Sequence, residues 1–241
     1  MVELTQRQDQ PAFEDICVAA EDIRIRKLEL NDLRDALKKG YEDFGAKPSS
    51  VALLIVFYPL FALIFTLYSF GQELRYLLFP IVAGFTLIGP MIAVLFFEMS
   101  RRREKGLDLR WSATLRFIHT YSFAPLLALS IIMTLLYVAW LFMAEQIYFG
   151  VFENTPPETL PAFIDALFGT SSGIALIAYG NFVGFLFAFA AMAISVFAFP
   201  LVLDKPVTSL TAISVSVRAF LANVYVLAVW GIAVLVILSL G

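Results

Sequence analysis

The residues that could do chemistry are few, and their spacing decides what chemistry is open to them. Gly169-Thr170-Ser171-Ser172-Gly173 matches the G-x-S-x-G pattern of serine hydrolases. That pattern activates its serine only where a strand turns sharply into a helix and a histidine lies within hydrogen-bond reach. The sole histidine, His119, is expected at the opposite membrane face from Ser171, so no proton can pass between them. Capping of a helix by Thr170 or Ser171 is the expected role of this segment. Cys17 is the only cysteine, which rules out an internal disulfide and a metal site built on several Cys or His ligands. No cofactor is expected, and the pattern is that of a protein that is not an enzyme.

Other polar residues sit at the ends or in the middle of apolar runs. Glu98 immediately precedes Ser100-Arg101-Arg102-Arg103-Glu104-Lys105. A carboxylate there can pair with Arg101 or Arg102 on its own helix, and the basic cluster can meet anionic lipid. Asp204 is expected to cap its helix or pair with Arg218. Asn181 stands beside Gly180, Gly184, Ala188, Ala191 and Ser195, a small-residue face suited to close helix packing in a bilayer. Its amide is expected to bond between helices, with a substrate path as the competing use. Tyr58-Pro59, Phe79-Pro80, Gly89-Pro90 and Phe199-Pro200 each place a helix-bending proline in an apolar run. Gly89-Pro90, at mid-span, is the best candidate for a functional break.

The elements that must position these residues are membrane helices. Hydrophobic residues make up 60% of the 241 and charged residues 15%, against about 45–50% and 25% in soluble proteins. A helix needs about 20 apolar residues to cross roughly 30 Å of hydrocarbon. Val51–Phe70, Tyr76–Phe97, Tyr121–Ala144 and Phe220–Leu240 meet that requirement. Ser172–Leu203 as one straight helix would run about 48 Å, so it must tilt, break or emerge, and it is counted as one span with an extension ending near Pro200 and Asp204. The fold expected is all-α, a polytopic membrane bundle of about five helices.

Basic residues favour the cytoplasmic side of membrane spans. With the N-terminus inside, sixteen of the 17 bases are cytoplasmic and only Arg75 is external. The loop around Glu145–Ser171 holds acids and no base. Five spans then put the C-terminus in the periplasm. The net charge of −3, with bases clustered at span ends, gives nucleic acid no footprint.

Three segments beside the spans carry apolar stripes. Residues 31–48 follow a solvated, disordered tail of 1–30, which holds seven acids and four bases. They open with Asn31 as a cap and place Leu33, Leu37, Tyr41 and Phe44 on one face, as a surface helix on lipid would. Arg110–His119 aligns Trp111, Leu115 and Ile118. Thr208–Asn223 mixes Leu210, Ile213, Val217 and Phe220 with Ser214, Ser216 and Arg218. Residues 49–241 form the membrane domain.

The chain resembles a family of bacterial integral membrane proteins known as domain of unknown function 2189, some of which carry the label cytochrome c oxidase subunit I-like. The resemblance rests on Asn31-Asp32-Leu33 through Gly40, Asp43-Phe44, Pro48, Tyr58-Pro59, Phe79-Pro80 with Gly84-Phe85, Gly89-Pro90, Glu98-Met99-Ser100-Arg101-Arg102, and Phe199-Pro200-Leu201 with Asp204. It runs from about Ile23 to near the end of the chain, and it implies an inner-membrane protein without an established activity. One histidine is too few for haem-copper chemistry, so the oxidase label does not suit this chain. The function expected is that of a non-catalytic accessory or assembly factor, with a small-solute transporter or channel as the alternative. The partners expected are the bilayer, anionic lipid at its cytoplasmic face, and a membrane-protein subunit or a second copy of the chain.

Overall fold

The computed structural model describes residues 17–46, 80–81, 89–152, 157 and 160–240. All regular structure among them is helical: α1 (Leu30–Ala46), α2 (Gly89–Glu104), α3 (Trp111–Thr114), α4 (Phe123–Val151), α5 (Leu160–Gly169), α6 (Ser171–Ser195), α7 (Ala198–Asp204), α8 (Ser209–Ala222) and α9 (Val224–Leu240), with short 3-10 turns at Ala20–Asp22 and Leu115–His119.

Two stretches are long and apolar enough to cross a membrane, Phe123–Val151 and Ser171–Asp204. A third is the bent pair Ser209–Ala222 and Val224–Val234, whose axes differ by 91°. The expected span Val51–Phe70, with Tyr58 and Pro59, lies outside the described residues. Of Tyr76–Phe97, only Pro80, Ile81 and the part from Gly89 are described, and Pro90 lies in the first described turn of α2.

The long apolar stretch remains one membrane-crossing stretch of 34 residues, interrupted near its end. α6 ends at Ser195, Val196 and Phe197 form a turn, and α7 carries the chain on to Asp204. Pro200 in α7 has no N–H to return to the carbonyl four residues back, so a break just upstream leaves no lost bond. The fifth apolar run also differs from expectation, since Phe220–Ala222 finish α8 and the membrane helix begins only at Val224, after the corner at Asn223.

α4 and α6 pack along their lengths, with Leu129, Met133, Tyr137 and Trp140 of α4 buried. α7 sits against α2, α4 and α8 and contributes Phe199 and Val202, both fully buried. The C-terminus of α2, the segment 105–122, α7, the start of α8 and residues 17–29 meet at one end of α4: the Ser122 hydroxyl donates to the Val202 carbonyl at 2.8 Å, and the Val18 amide donates to Pro206 at 2.9 Å. α5 and the start of α6 mark the other end, where Tyr148 meets Phe163.

Several local readings change. Residues 17–29 belong to the folded body rather than to a solvated tail, because Ile23 is buried and the backbone is bonded to Pro206, Arg218 and Asn223. Residues 1–16 are outside the described set. Asn31 does not cap α1; the helix starts one residue earlier, and Asp32 turns back to accept the Glu29 amide at 2.8 Å. That is the reach-back half of a capping box. Leu37 and Tyr41 are exposed, Leu33 is half-buried, and the Phe44 side chain is outside the described set. Arg110–His119 makes one α turn before tightening to 3-10. Leu115 and Ile118 stay exposed on it.

α2 stops at Lys105-Gly106. Gly106 has φ 65°, its amide bonds the Arg103 carbonyl at 3.0 Å, and the Leu107 amide reaches Arg102 at 2.8 Å. This is a Schellman ending, which needs a residue without Cβ at the left-handed position.

Candidate functional site

The charges at the end of α2 converge with those of α1 and α7. Glu98 is 1% exposed. Arg101 grips it with two bonds, Nε to Oε2 at 2.7 Å and Nη2 to Oε1 at 2.9 Å. Arg102 approaches Oε1 at 3.5 Å while its Nε donates to the Asp108 carbonyl at 2.7 Å. Glu98 holds the Arg101 guanidinium pKa above its ordinary value, chiefly through the hydrogen bond, against an opposing contribution from burial. Helical spacing of three and four makes these pairs, and the positive residues also suit the negative end of the helix dipole.

The same helix end fastens two neighbours. Lys105 Nζ lies 2.7 Å from Asp204 Oδ1. Asp43 on α1 accepts from both Ser100 and Arg103, and Lys39 lies 3.6 Å from Glu104. Asp204 therefore pairs with Lys105 and not with Arg218, the partner that the sequence led us to expect. Arg218 points the other way, along α8, and donates to the Ala20 carbonyl at 3.2 Å. The exposed pairs contribute little individually. The Glu98 cluster is different: Glu98 is buried, so removing both Arg101 and Arg102 would leave its charge uncompensated, at a typical cost of about 3–5 kcal/mol. Arg101 and Arg102 are thus engaged within the fold, while Arg34, Lys38 and Arg116 are exposed and make no ion pair among the described residues.

A second polar cluster, which sequence reasoning missed, pins the helix breaks. Ser216 on α8 is fully buried. Its hydroxyl donates to the Ala193 carbonyl at 2.8 Å and accepts from the Phe197 amide at 3.2 Å. One side chain thereby satisfies both ends of the α6–α7 break. At the α8–α9 corner, Asn223 accepts from the Leu28 amide at 2.7 Å and donates to the carbonyls of Arg26 at 3.2 Å and Ala219 at 2.9 Å. Polar residues inside apolar runs were the available signal, but partners 23 and 195 residues away have no local signature. Beside this clamp an open, mainly apolar groove of about 370 Å3 runs between residues 23–28 and α7, with Asp204 at its edge.

The small-residue face of α6 is used in part. A Cβ on Gly184 would stand 3.1 Å from Trp140 Cη2, whereas one on Gly180 would meet nothing within 4 Å. Trp140 also donates to the Pro80 carbonyl at 2.8 Å and packs on Phe187 with ring centroids 5.6 Å apart. Asn181 is exposed and does not bridge helices; its amide donates to Ile177, one turn back, at 2.7 Å. The expectation fails because the buried side of α6 centres on Gly173, Gly184, Phe187 and Ala191, and Asn181, about 60° round the helix from Gly184, falls at its exposed edge.

The G-x-S-x-G segment is a helix corner. Thr170 Oγ1 accepts the Gly173 amide at 3.0 Å. A Cβ on Gly173 would lie 2.1 Å from the Ala166 carbonyl oxygen, so glycine is there for close approach. His119 and Ser171 belong to opposite ends of α4, about 40 Å apart at 1.5 Å per residue. No cluster of three or more Cys, His, Asp or Glu able to hold a metal occurs among the described residues.

An all-helical chain with apolar helices of membrane-crossing length is an integral membrane protein. The chain matches the family described as predicted integral membrane protein (DUF2189) over residues 78–204 and belongs to it. No curated protein matches it. No solved structure matches it. The matched residues run from the start of span two through α7 and include the Glu98–Arg101–Arg102 cluster, the α5–α6 corner and Asp204.

Proposed function

We propose that this protein resides in a bacterial inner membrane, N-terminus cytoplasmic and C-terminus periplasmic, and serves as a non-catalytic accessory or assembly factor that docks other membrane subunits. One observation carries the reading: among the described residues, five of the six buried polar side chains, Glu98, Thr114, Ser122, Ser216 and Asn223, are bonded to groups of the chain itself, chiefly backbone. Polar chemistry in the described interior is thus directed to holding helices. The orientation is supported by the gathering of α1, the end of α2, α7 and α8, with their bases, at one end of α4, while the other end carries Glu145 and Asp165. Exposed Arg34, Lys38 and Arg116, beside Leu37, Tyr41, Leu115 and Ile118, suit anionic lipid at the cytoplasmic face.

Purification from native membranes in mild detergent tests the role. Stoichiometric co-purification of a membrane subunit, lost when the exposed faces of α1 and α8 are made polar, is the expected result. The second reading is a small-solute transporter or channel. It draws on the α6–α7 break and on Ser195, the sixth buried polar side chain, whose hydroxyl makes no hydrogen bond among the described residues. Solute flux into proteoliposomes, abolished by Ser195→Val, would replace the accessory role with transport.

A further inference from the structure

The outward face of α6 carries a polar group that the fold leaves unused. Ile174, Ala178, Asn181, Phe185, Ala188 and Met192 recur at alternating steps of four and three, the spacing of a helix–helix seam. All but half-buried Met192, which packs against the Ala193, Phe220 and Leu227 cluster, are exposed, on a face of α6 that borders the one Trp140 meets. The comparable face of α4, Leu127, Ile131, Thr134, Leu135, Val138 and Phe142, carries one polar group, and the Thr134 hydroxyl donates to the Ser130 carbonyl at 2.9 Å. Asn181 lies ten residues into α6, about 15 Å from its start and near the middle of a 30 Å hydrocarbon layer. Its one bond to Ile177 leaves an amide N–H and the Oδ1 acceptor without partners among the described residues. Both are costly to leave unmet in hydrocarbon.

We propose that this face is a homodimer interface, in which two copies pack α6 against α6 with Asn181 opposite Asn181. The chemistry selects a second copy. An amide is its own complement, since each Asn181 donates its free N–H to the other's Oδ1 across a two-fold axis. Two identical chains inserted the same way hold the residue at the same depth, which an unrelated helix would have to match separately. Ala178 and Ala188 flank the amide on the seam and let the backbones approach. The inference is independent of the accessory role, because a dimer could serve either reading of function.

The test uses the full-length protein in native membranes, with Cys17→Ser to clear the background thiol. Single cysteines at Ala178 and Ala188 should form intermolecular disulfides on mild oxidation, and one at Tyr179, exposed on another side of α6, should not. In liposomes diluted with lipid, labelled Asn181→Val should dissociate about 5- to 30-fold more readily than wild type, the range measured for interhelical polar contacts in model peptides. Asn181→Gln should recover part of the loss. Asn181→Val should melt with the wild-type protein in monomeric form, since its one bond is to its own helix; a lowered monomer Tm would assign Asn181 to the fold and overturn the interface. Equal cross-linking at Tyr179 and Ala178, cross-links only to a different protein, or unchanged dissociation in Asn181→Val would each do the same.

Discussion

Replacing Asn223 with alanine should free residues 17–29 from the helical body. Two of the side chain's three bonds reach that segment, from the Leu28 amide and to the Arg26 carbonyl, while the third returns to Ala219 on its own helix. At about 1 kcal/mol net for each of the two bonds to the segment, and with water able to reach the released strand, opening of the segment should become easier by about 2 kcal/mol. The Val18–Pro206 and Arg218–Ala20 bonds remain. They lie upstream, so the loss is concentrated between Ile25 and Leu28. Arg24, Arg26 and Lys27 are exposed side chains on this stretch, but trypsin needs the backbone peeled away before it can cut. When opening is fast relative to cleavage, the cutting rate follows the open population. Cleavage after Arg26 or Lys27 should therefore rise roughly 30-fold in Asn223→Ala, with cuts elsewhere unchanged. Asn223→Asp keeps the acceptor for Leu28 but loses both donations and should fall between. If Asn223→Ala were cut at those sites within about twofold of wild type, the clamp would not be what holds the segment.

Other expectations follow from single contacts. Gly184→Leu should lower Tm sharply in detergent because its Cβ starts 3.1 Å from the Trp140 ring, while Gly180→Leu, with open space at its Cβ, should melt close to wild type. Ser216→Ala strands the buried Ala193 carbonyl and Phe197 amide together and should cost about 2–4 kcal/mol, read as a Tm loss that Ser216→Thr does not simply restore if the added methyl finds no room. Asp32 is held below the ordinary carboxylate pKa of 3.8, first by the Glu29 amide and then by Arg26. A depressed carboxylate contributes its stabilisation above the unfolded value and loses it as pH falls through the folded one, so the protection factor of the Glu29 amide, its exchange rate relative to the free peptide at the same pH, should fall only on acidification below about pH 4. Constant protection there would remove Asp32 from the start of α1.

Composition alone decided the class of this protein. A 60% apolar chain cannot leave its backbone polar groups unpaired in lipid, and helices solve that locally, so membrane helices are legible residue by residue. Local spacing likewise exposed the Glu98–Arg101 and Glu98–Arg102 pairs and the capping role of Thr170, since each lies within four residues of its partner. The sequence also showed that Ser172–Leu203 was too long for one straight span, though not that the break would come at Val196-Phe197. Tertiary structure decided what length and periodicity leave open. Which face of α6 is buried depends on where Trp140 stands, and this turned Gly184 inward and Asn181 outward. Asp204 met Lys105 instead of Arg218 because α7 packs on the end of α2 while Arg218 lies along residues 17–29. Ser216 and Asn223 became fastening points only once α8 crossed the α6–α7 break and residues 17–29 reached its end. Hydrogen bonds between groups distant in sequence are set by the packing of apolar surfaces, which is non-directional, and no local pattern records where that packing will bring them.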